Sequence, residues 1–299
     1  MPKQWDGKTK GSLTGYKIFI FLIKNLGLRS AYFLLLFVSL WFSLFSRKGS
    51  KAQYFFFRKR LHYNFVKSFF YVWRNNFVFG MILIDKTAIL SGLKHKFSFE
   101  HTNAEVIQNM IKNKTGGILI NAHIGSWEVA GQLLERYGGK ISIVMVDEEH
   151  EKIKDVLSKF ETENAIEIIP LKPDGSHMTK IAEVLTNKGI IVMHGDRYTE
   201  ESSTIVHEFL GKVAKFPSGP YHLAAKYGVP ISFATAFRER NKHYQFYAML
   251  PVYIEYPGDI KKRKEEIFNK SKLYINELEK SIKKYPLQWF NYYPFWEEA

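Results

Sequence analysis

Residues 116–134, GGILINAHIGSWEVAGQLL, decide the predicted fold. Two glycines precede the apolar run at residues 118–122, which predicts a short buried strand. Ser126 is suited to cap a helix that follows, because apolar side chains recur after it at helical spacing. These side chains are Val129, Ala130, Leu133 and Leu134. A strand that leads directly into a helix is the repeating unit of an α/β fold.

The turn between this strand and this helix carries two titratable side chains. His123 follows the strand, and Glu128 lies in the predicted first turn of the helix. Because α/β sheets place their sites at the ends of strands, we predict that these two side chains meet there. A carboxylate on one imidazole nitrogen leaves the other as a general base, which suits a hydroxyl group attacking an acyl group. Backbone N–H groups around Gly125 and Ser126 are then expected to face the developing oxyanion.

The composition indicates a folded protein with a strongly basic N-terminal quarter. Of the 299 residues, 46% are hydrophobic and 24% are charged, which favours a folded chain with a substantial core. There is no cysteine, so disulfides, zinc–thiolate sites and cysteine nucleophiles are excluded. The net charge is +14, and residues 1–75 contain fourteen Lys or Arg but a single acidic residue, Asp6. This distribution indicates an anionic partner at one end of the chain.

A membrane surface is the anionic partner that the N-terminal region favours. Residues 30–45, SAYFLLLFVSLWFSLF, are uncharged and slightly too few to span a bilayer. We interpret residues 16–46 as one or two helices in the membrane interface, followed by bases that meet anionic headgroups. These bases are Arg47, Lys48 and Lys51. A single tilted span and an ordinary core helix are the alternatives.

Residues 51–80 interleave aromatic and basic side chains and contain no proline. This pattern predicts one long helix suited to a membrane or to an acidic carrier protein. Aromatic residues among bases also suit stacking on single-stranded nucleic acid. Nucleic-acid binding is less favoured than membrane contact, because no nucleic-acid motif accompanies these residues.

The rest of the chain alternates strand-like and helix-like segments, which predicts an α/β fold with a mostly parallel central sheet flanked by helices. The predicted strands are 118–122, 141–146, 166–169, 190–194, 231–237 and 244–250, the last two antiparallel to each other. The predicted helices are 103–113, 148–160, 176–187, 217–227 and 260–284. We assign residues 1–80 to a basic, aromatic-rich, membrane-associating helical region and residues 81–299 to the α/β domain.

A second polar cluster follows the predicted strand 190–194 and includes His194, Asp196 and Arg197. In a parallel sheet, the end of this strand is expected to lie on the same rim as His123. Adjacent side chains point in different directions, so we expect either Asp196 or Arg197 to bind substrate while the other fixes a loop. A structural ion pair at the end of a strand is the alternative.

Taken in order, these features resemble the bacterial lipid A late acyltransferases, the lauroyl/myristoyl branch of the lysophospholipid acyltransferase superfamily. The basic leader and its hydrophobic helix come first, followed by HIGSWE at residues 123–128, which has the H-x4-E form of the superfamily's H-x4-D/E motif. Next come FLG at 209–211 and FPSGPYHLAAKYGVPISF at 216–233. PLQW at 286–289 is similar to the P-x-Q-W motif near the end of that family.

The resemblance implies an enzyme on the cytoplasmic face of a Gram-negative inner membrane that takes part in lipid A (lipopolysaccharide) biosynthesis. It would move a fatty acyl chain from acyl carrier protein, or from CoA, to a hydroxyl of a glycolipid such as a lipid A precursor. By motif position, His123 is the general base and Glu128 its partner. The candidate substrate-binding residues are Asp196, Arg197, Asn121, Gly125 and Trp127. The implied partners are acyl carrier protein, a lipid acceptor and an anionic membrane surface, with no nucleic acid, metal or bound cofactor.

Other functions remain open at this point. Residues 147–149 are acidic where those enzymes usually carry an arginine, so an ornithine lipid, a glycine lipid or a polyene are alternative acceptors. A thioesterase or other hydrolase would use the same pair to activate water. A metal-dependent hydrolase built on His123, His194 and the nearby carboxylates is less favoured, because no H-E-x-x-H pattern is present. A structural histidine in a non-enzymatic membrane protein is the remaining interpretation.

Overall fold

The structure is a computed structural model that describes residues 13–126, 129, 141–146, 166–172, 174–198 and 202–296. The helices predicted after Ser126 and at residues 148–160 lie outside the described residues, apart from Val129. The α-helices of the described part are α1 (Leu13–Asn25), α2 (Leu28–Phe45), α3 (Arg47–Phe55), α4 (Phe65–Leu90), α5 (Glu105–Lys112), α6 (His177–Thr186), α7 (Gly219–Tyr227) and α8 (Ile260–Lys284). The strands are β1 (Ser98–Thr102), β2 (Gly117–Asn121), β3 (Ile141–Val146), β4 (Ile166–Leu171), β5 (Ile190–His194), β6 (Thr204–Phe209), β7 (Lys212–Pro217), β8 (Ile231–Arg240) and β9 (His243–Ala248).

Seven strands form one sheet in the order β1-β9-β8-β2-β5-β3-β4. Every neighbouring pair in it is parallel except β8 and β9, which are antiparallel as predicted. The α/β class with a mostly parallel sheet is therefore confirmed. β2 lies between β8 and β5, and all five of its residues are buried. Its continuous apolar run is typical of a parallel strand covered on both faces.

Two apolar cores lie on the two faces of the sheet. Ile118 and Ile120 belong to one core and Leu119 to the other, because successive side chains of a strand point to opposite faces. The first core is covered by residues of α6, α7 and α8. The second is covered by α1, α2, α4 and α5. The apolar N-terminal helices are thus part of the packed body of the protein.

The predicted single helix across residues 51–80 is wrong. α3 ends at Phe55, a π-turn covers Phe56–Arg60, and His62 has a left-handed φ of 56° that interrupts the helical path. Asn64 then caps α4, because its side chain accepts a hydrogen bond from the backbone N–H of Lys67 at 2.8 Å. α4 continues to Leu90, so the division at residue 80 falls inside one helix, and the two-region assignment stays a prediction.

α2 and α4 pack closely, and their outer surface is apolar. A Cβ added at Gly80 of α4 would lie 2.3 Å from Leu35 Cδ1 of α2, so the glycine permits this approach. Among the described helices, α2 alone has the length and composition to cross a membrane, a test that many core helices also pass. Unlike a core helix, α2 exposes a series of large apolar side chains. They are Phe33, Phe37, Leu40, Trp41, Leu44 and Phe45.

A buried carboxylate joins these helices to the sheet. Asp85 of α4 is fully buried and accepts hydrogen bonds at 2.8 Å from Arg238 Nε of β8 and the Tyr244 hydroxyl of β9. The Tyr32 hydroxyl of α2 donates to its other oxygen. A buried charge is tolerated when it is paired and hydrogen-bonded in this way. The contacts fix α2 and α4 against β9 and against β8, which borders β2.

Candidate active site

The two polar clusters leave the sheet side by side. β2 and β5 are parallel neighbours in which Asn121 is the register partner of His194. The N–H of Gly195 donates to the carbonyl of Asn121 at 2.7 Å, which extends the pairing past the end of β5. Asp196 and His123 consequently emerge on the same rim, as the sequence predicted.

His123 and Asp196 form a doubly hydrogen-bonded pair. His123 Nδ1 lies 2.8 Å from Asp196 Oδ1, and the backbone N–H of His123 donates to Oδ2 at 2.8 Å. An ionised carboxylate only accepts hydrogen bonds, so the Nδ1 proton is directed at Asp196, and in the neutral imidazole the lone pair lies on Nε2. The His123 side chain is 18% exposed and that of Asp196 2%, so the imidazole is reachable from solvent while the carboxylate is enclosed.

The electrostatics of the pair keep Asp196 ionised. Burial by itself would raise the pKa of this carboxyl, but the opposing charge of His123, its hydrogen bond and the nearby Arg197 outweigh burial and hold the pKa below its usual range. The ring of His194 stacks on that of His123 with centroids 4.2 Å apart. Removal from water and the proximity of His123 hold the pKa of His194 well below its usual value, so His194 is neutral.

For the N–H groups of Gly125 and Ser126, the predicted oxyanion role is wrong. The N–H of Gly125 donates to the carbonyl of Gln288 at 2.9 Å, and that of Ser126 donates to the carbonyl of Ala236 at 2.7 Å. Both groups are therefore engaged inside the protein. Gly125 is needed for packing, because its φ is 65° and an added Cβ would lie 2.3 Å from the Ala236 carbonyl oxygen of β8.

Of the other four candidate site residues, two lie within the described part of the chain and two lie outside it. Asn121 is buried; its Oδ1 accepts from the Ala122 N–H at 2.6 Å, and its Nδ2 has no hydrogen-bond partner within the described part of the chain. Arg197 is half-buried, with its guanidinium 5.6 Å from the centre of the Tyr293 ring. Trp127 and Glu128 lie outside the described residues. The roles assigned to these side chains stay predictions, but the carboxylate on Nδ1 is Asp196.

Ligand atoms of His123, His194 and Asp196 all lie within 4.8 Å of one another, which is compact enough for a metal ion. Both oxygens of Asp196 already accept hydrogen bonds from His123, however. We therefore interpret the cluster as a hydrogen-bonded histidine–aspartate pair with a stacked second imidazole.

The sequence did not reveal that the C-terminal segment contacts this site. The N–H of Phe290 donates to the carbonyl of His123 at 2.7 Å, and Ile124 and Trp289 form an antiparallel bridge. The Tyr293 hydroxyl donates to the carbonyl of Asp196 at 3.0 Å. The motif at residues 286–289 marked this segment as a family feature, but its place beside His123 depends on the tertiary fold.

The match to a family model agrees with the resemblance. Residues 72–297 match the family described as bacterial lipid A biosynthesis acyltransferase. A crystal structure of the 1-acyl-sn-glycerophosphate (LPA) acyltransferase, PlsC, from Thermotoga maritima is similar at 15% sequence identity and a TM-score of 0.39, covering 84% of this chain and 99% of that chain. No curated protein sequence matches the chain. Because the family match spans well over half of the residues, this chain belongs to the bacterial lipid A biosynthesis acyltransferase family and is an acyltransferase.

Proposed function

We propose that the enzyme moves a fatty acyl chain from acyl carrier protein, or from CoA, to a hydroxyl of a lipid A precursor or a related bacterial lipid. The observation that carries the proposal is the 2.8 Å contact between His123 Nδ1 and Asp196 Oδ1. It directs Nε2 of His123 outward as a general base next to a neutral second imidazole. Family membership supports acyl transfer over hydrolysis.

In the proposed reaction, His123 takes one proton from the acceptor hydroxyl and later gives it to the leaving thiolate. His123 Nε2 takes the proton from the acceptor hydroxyl as that oxygen attacks the thioester carbonyl carbon. The ionised Asp196 stabilises the imidazolium that forms. Collapse of the tetrahedral intermediate breaks the C–S bond, and the thiolate leaves with the proton from Nε2. The products are the acyl ester and the free thiol.

The charge of the N-terminal region supports an anionic donor and a membrane-bound acceptor. Residues 7–84 contain no acidic side chain but many Lys and Arg. Acyl carrier protein, CoA and anionic headgroups would all be attracted to such a surface. Together with the exposed apolar face of α2, this supports a protein bound to the cytoplasmic face of the inner membrane.

Transfer is tested with radiolabelled acyl donors and total lipid from a Gram-negative host. The purified protein is incubated with acyl carrier protein thioester or acyl-CoA, and the labelled lipid is identified by mass spectrometry. We expect label in one hydroxylated lipid, and its loss in His123→Ala. Label released as free fatty acid alone would contradict transfer and favour the thioesterase. Label in an ornithine lipid, glycine lipid or polyene would identify that molecule as the acceptor in place of a lipid A precursor.

Membrane binding is tested by flotation with vesicles that contain anionic lipid. Leu40 of α2 is 47% exposed and Leu273 of α8 is 45% exposed, so the two offer a matched pair of helical leucines. We expect Leu40→Glu to reduce co-flotation because it puts a charge on the apolar face, while Leu273→Glu leaves it unchanged. Equal flotation of both variants and the wild type would contradict this mode of binding.

A further inference from the structure

The two loops of the catalytic pair are both held by one short segment near the C-terminus. We propose that residues 288–293, termed here the C-terminal clamp, position His123 against Asp196, and that Tyr293 is a positioning residue for Asp196. The proposal rests on the proposed role of the His123–Asp196 pair in acyl transfer.

The clamp pairs with the His123 loop through its backbone. The Phe290 N–H donates to the His123 carbonyl at 2.7 Å, and the Gly125 N–H donates to the Gln288 carbonyl at 2.9 Å. These two bonds flank the bridge between Ile124 and Trp289. The loop that carries the base is therefore held like a strand in a small antiparallel ladder.

The clamp is itself anchored to rigid parts of the protein. The side chain of Gln288 accepts from the Arg238 N–H at 2.9 Å and donates to the Arg238 carbonyl at 2.8 Å, which ties it to β8. The buried Asn75 of α4 donates to the carbonyls of Leu287 and Trp289 at 3.0 and 3.1 Å. Trp289 is 1% exposed and packs in an aromatic cluster. The cluster contains Phe56, Phe209, Phe295 and Trp296.

The other end of the clamp reaches the Asp196 loop. The Tyr293 hydroxyl donates to the Asp196 carbonyl at 3.0 Å, and the Arg197 guanidinium lies over the Tyr293 ring. Burial and the nearby Asp196 raise the pKa of Tyr293, so its hydroxyl remains a donor at any working pH. One rigid segment thus contacts the residues on both sides of the Nδ1–Oδ1 bond. Small displacements of catalytic groups cost large factors in rate, so loosening this segment should slow the chemical step.

The test compares Tyr293→Phe with Tyr285→Phe in the full-length enzyme. Tyr285 precedes the clamp, and its hydroxyl donates to the surface residue Glu239, so the control removes the same group from the same region. Four quantities are measured: kcat and KM in the transfer assay, the melting temperature, and the position of the far-downfield proton NMR signal that disappears in His123→Ala. That signal reports the Nδ1 proton shared with Asp196.

We expect Tyr293→Phe to lower kcat by about tenfold or more while KM and the melting temperature match those of Tyr285→Phe. The downfield signal should shift or broaden in Tyr293→Phe and stay in place in Tyr285→Phe. Equal kcat values in the two variants, or a loss of melting temperature with an unmoved signal, would overturn the clamp. If Tyr293→Phe does not fold, Gln288→Glu takes its place, because it replaces the donor to the Arg238 carbonyl by a carboxylate oxygen. A lower kcat with a shifted or broadened downfield signal is then expected whatever the melting temperature, and a wild-type kcat or an unmoved signal would overturn the clamp.

The two proposals fail in distinguishable ways. Activity retained by His123→Ala would remove the general-base mechanism, whatever Tyr293→Phe does. Loss of activity in His123→Ala together with wild-type behaviour of Tyr293→Phe would leave the mechanism in place and overturn the clamp alone.

Discussion

Replacing Asp196 by Asn changes the partner of His123 without changing its size. In the wild type, Oδ2 accepts the backbone N–H of His123 and Oδ1 accepts Nδ1–H. An asparagine can keep the first bond only by turning its amide NH2 toward Nδ1. Nδ1 must then accept, which moves the ring proton to Nε2 and removes the lone pair that the reaction needs.

The expected loss follows from that change of tautomer. General-base catalysis contributes about 10² to 10⁴ in rate, so we expect kcat to fall by roughly 10³ with KM little changed. A loss of about 10³ corresponds to about 4 kcal/mol of activation free energy. The assay is steady-state transfer to the identified lipid acceptor, with circular dichroism to verify the fold. A kcat for Asp196→Asn within about tenfold of the wild type would refute the pairing.

Asp196→Asn should also change how the free energy of unfolding depends on pH. The pKa of Asp196 is lowered in the folded state, so this carboxylate stabilises the wild type above its unfolded pKa of about 3.9 and loses that effect as pH falls further. Asp196→Asn lacks this titration. The difference in free energy of unfolding between the two proteins should therefore shrink as pH falls below about 4, measured by urea denaturation. A difference that stays constant or grows on acidification would contradict the lowered pKa.

Two further substitutions test the surrounding frame. Gly125→Ala places a Cβ against the Ala236 carbonyl at a positive φ, so urea denaturation should show that the free energy of unfolding falls by about 1–3 kcal/mol. Gly219→Ala, whose Cβ meets open space, is the control. Equal losses in the two variants would contradict the close approach at Gly125. Asp85→Asn leaves the Arg238 charge buried without its carboxylate and should lower the free energy of unfolding by about 3–5 kcal/mol. The control is Glu183→Gln, which breaks an exposed pair with Lys180 and should change that free energy by less than about 1 kcal/mol. A similar small loss in both of these variants would contradict the importance of the buried pair.

The sequence predicted the helices and strands that have a clear local pattern, such as an apolar run or a helix-capping residue. Strands 141–146 and 190–194 and helix 260–284 have the predicted bounds. The first two are mostly apolar, with Ser142 inside one and His194 at the end of the other. The helix begins after Asp259, whose side chain accepts the Lys262 N–H at 2.8 Å. Gly228 ends α7 in the left-handed conformation, as expected for a glycine after a helix.

Other elements lack such a local signal. β1 is an edge strand with mostly exposed side chains, so no apolar alternation marks it. The β6–β7 hairpin turns at Leu210 and Gly211, and a leucine with a φ of 51° is not a usual turn residue. The helix predicted to begin at residue 217 begins at Gly219, because Pro217 completes β7.

The partner of His123 depended on the order of strands in the sheet. The sequence pairs His123 with Glu128, through the turn they share and by motif position, and it assigns either Asp196 or Arg197 to substrate and the other to a loop. Placing β5 directly beside β2 brings Asp196 to Nδ1, and no local pattern encodes that adjacency. The rim shared by the two clusters could be predicted, since parallel strands end on the same side, whereas the individual hydrogen bonds could not.

The C-terminal clamp has a consequence for how the enzyme is made. The bond between His123 and Asp196 joins residues 73 positions apart, and that between Tyr293 and Asp196 joins residues 97 apart. Contacts between distant residues form late, because the entropy of closing the intervening chain opposes them. During synthesis the apolar helix α2 leaves the ribosome well before residues 288–293. If the proposed membrane binding through α2 and the proposed acyl-thioester donor hold, the nascent chain reaches the membrane before residues 288–293 can complete the site, so that unfinished chains do not hydrolyse the donor pool.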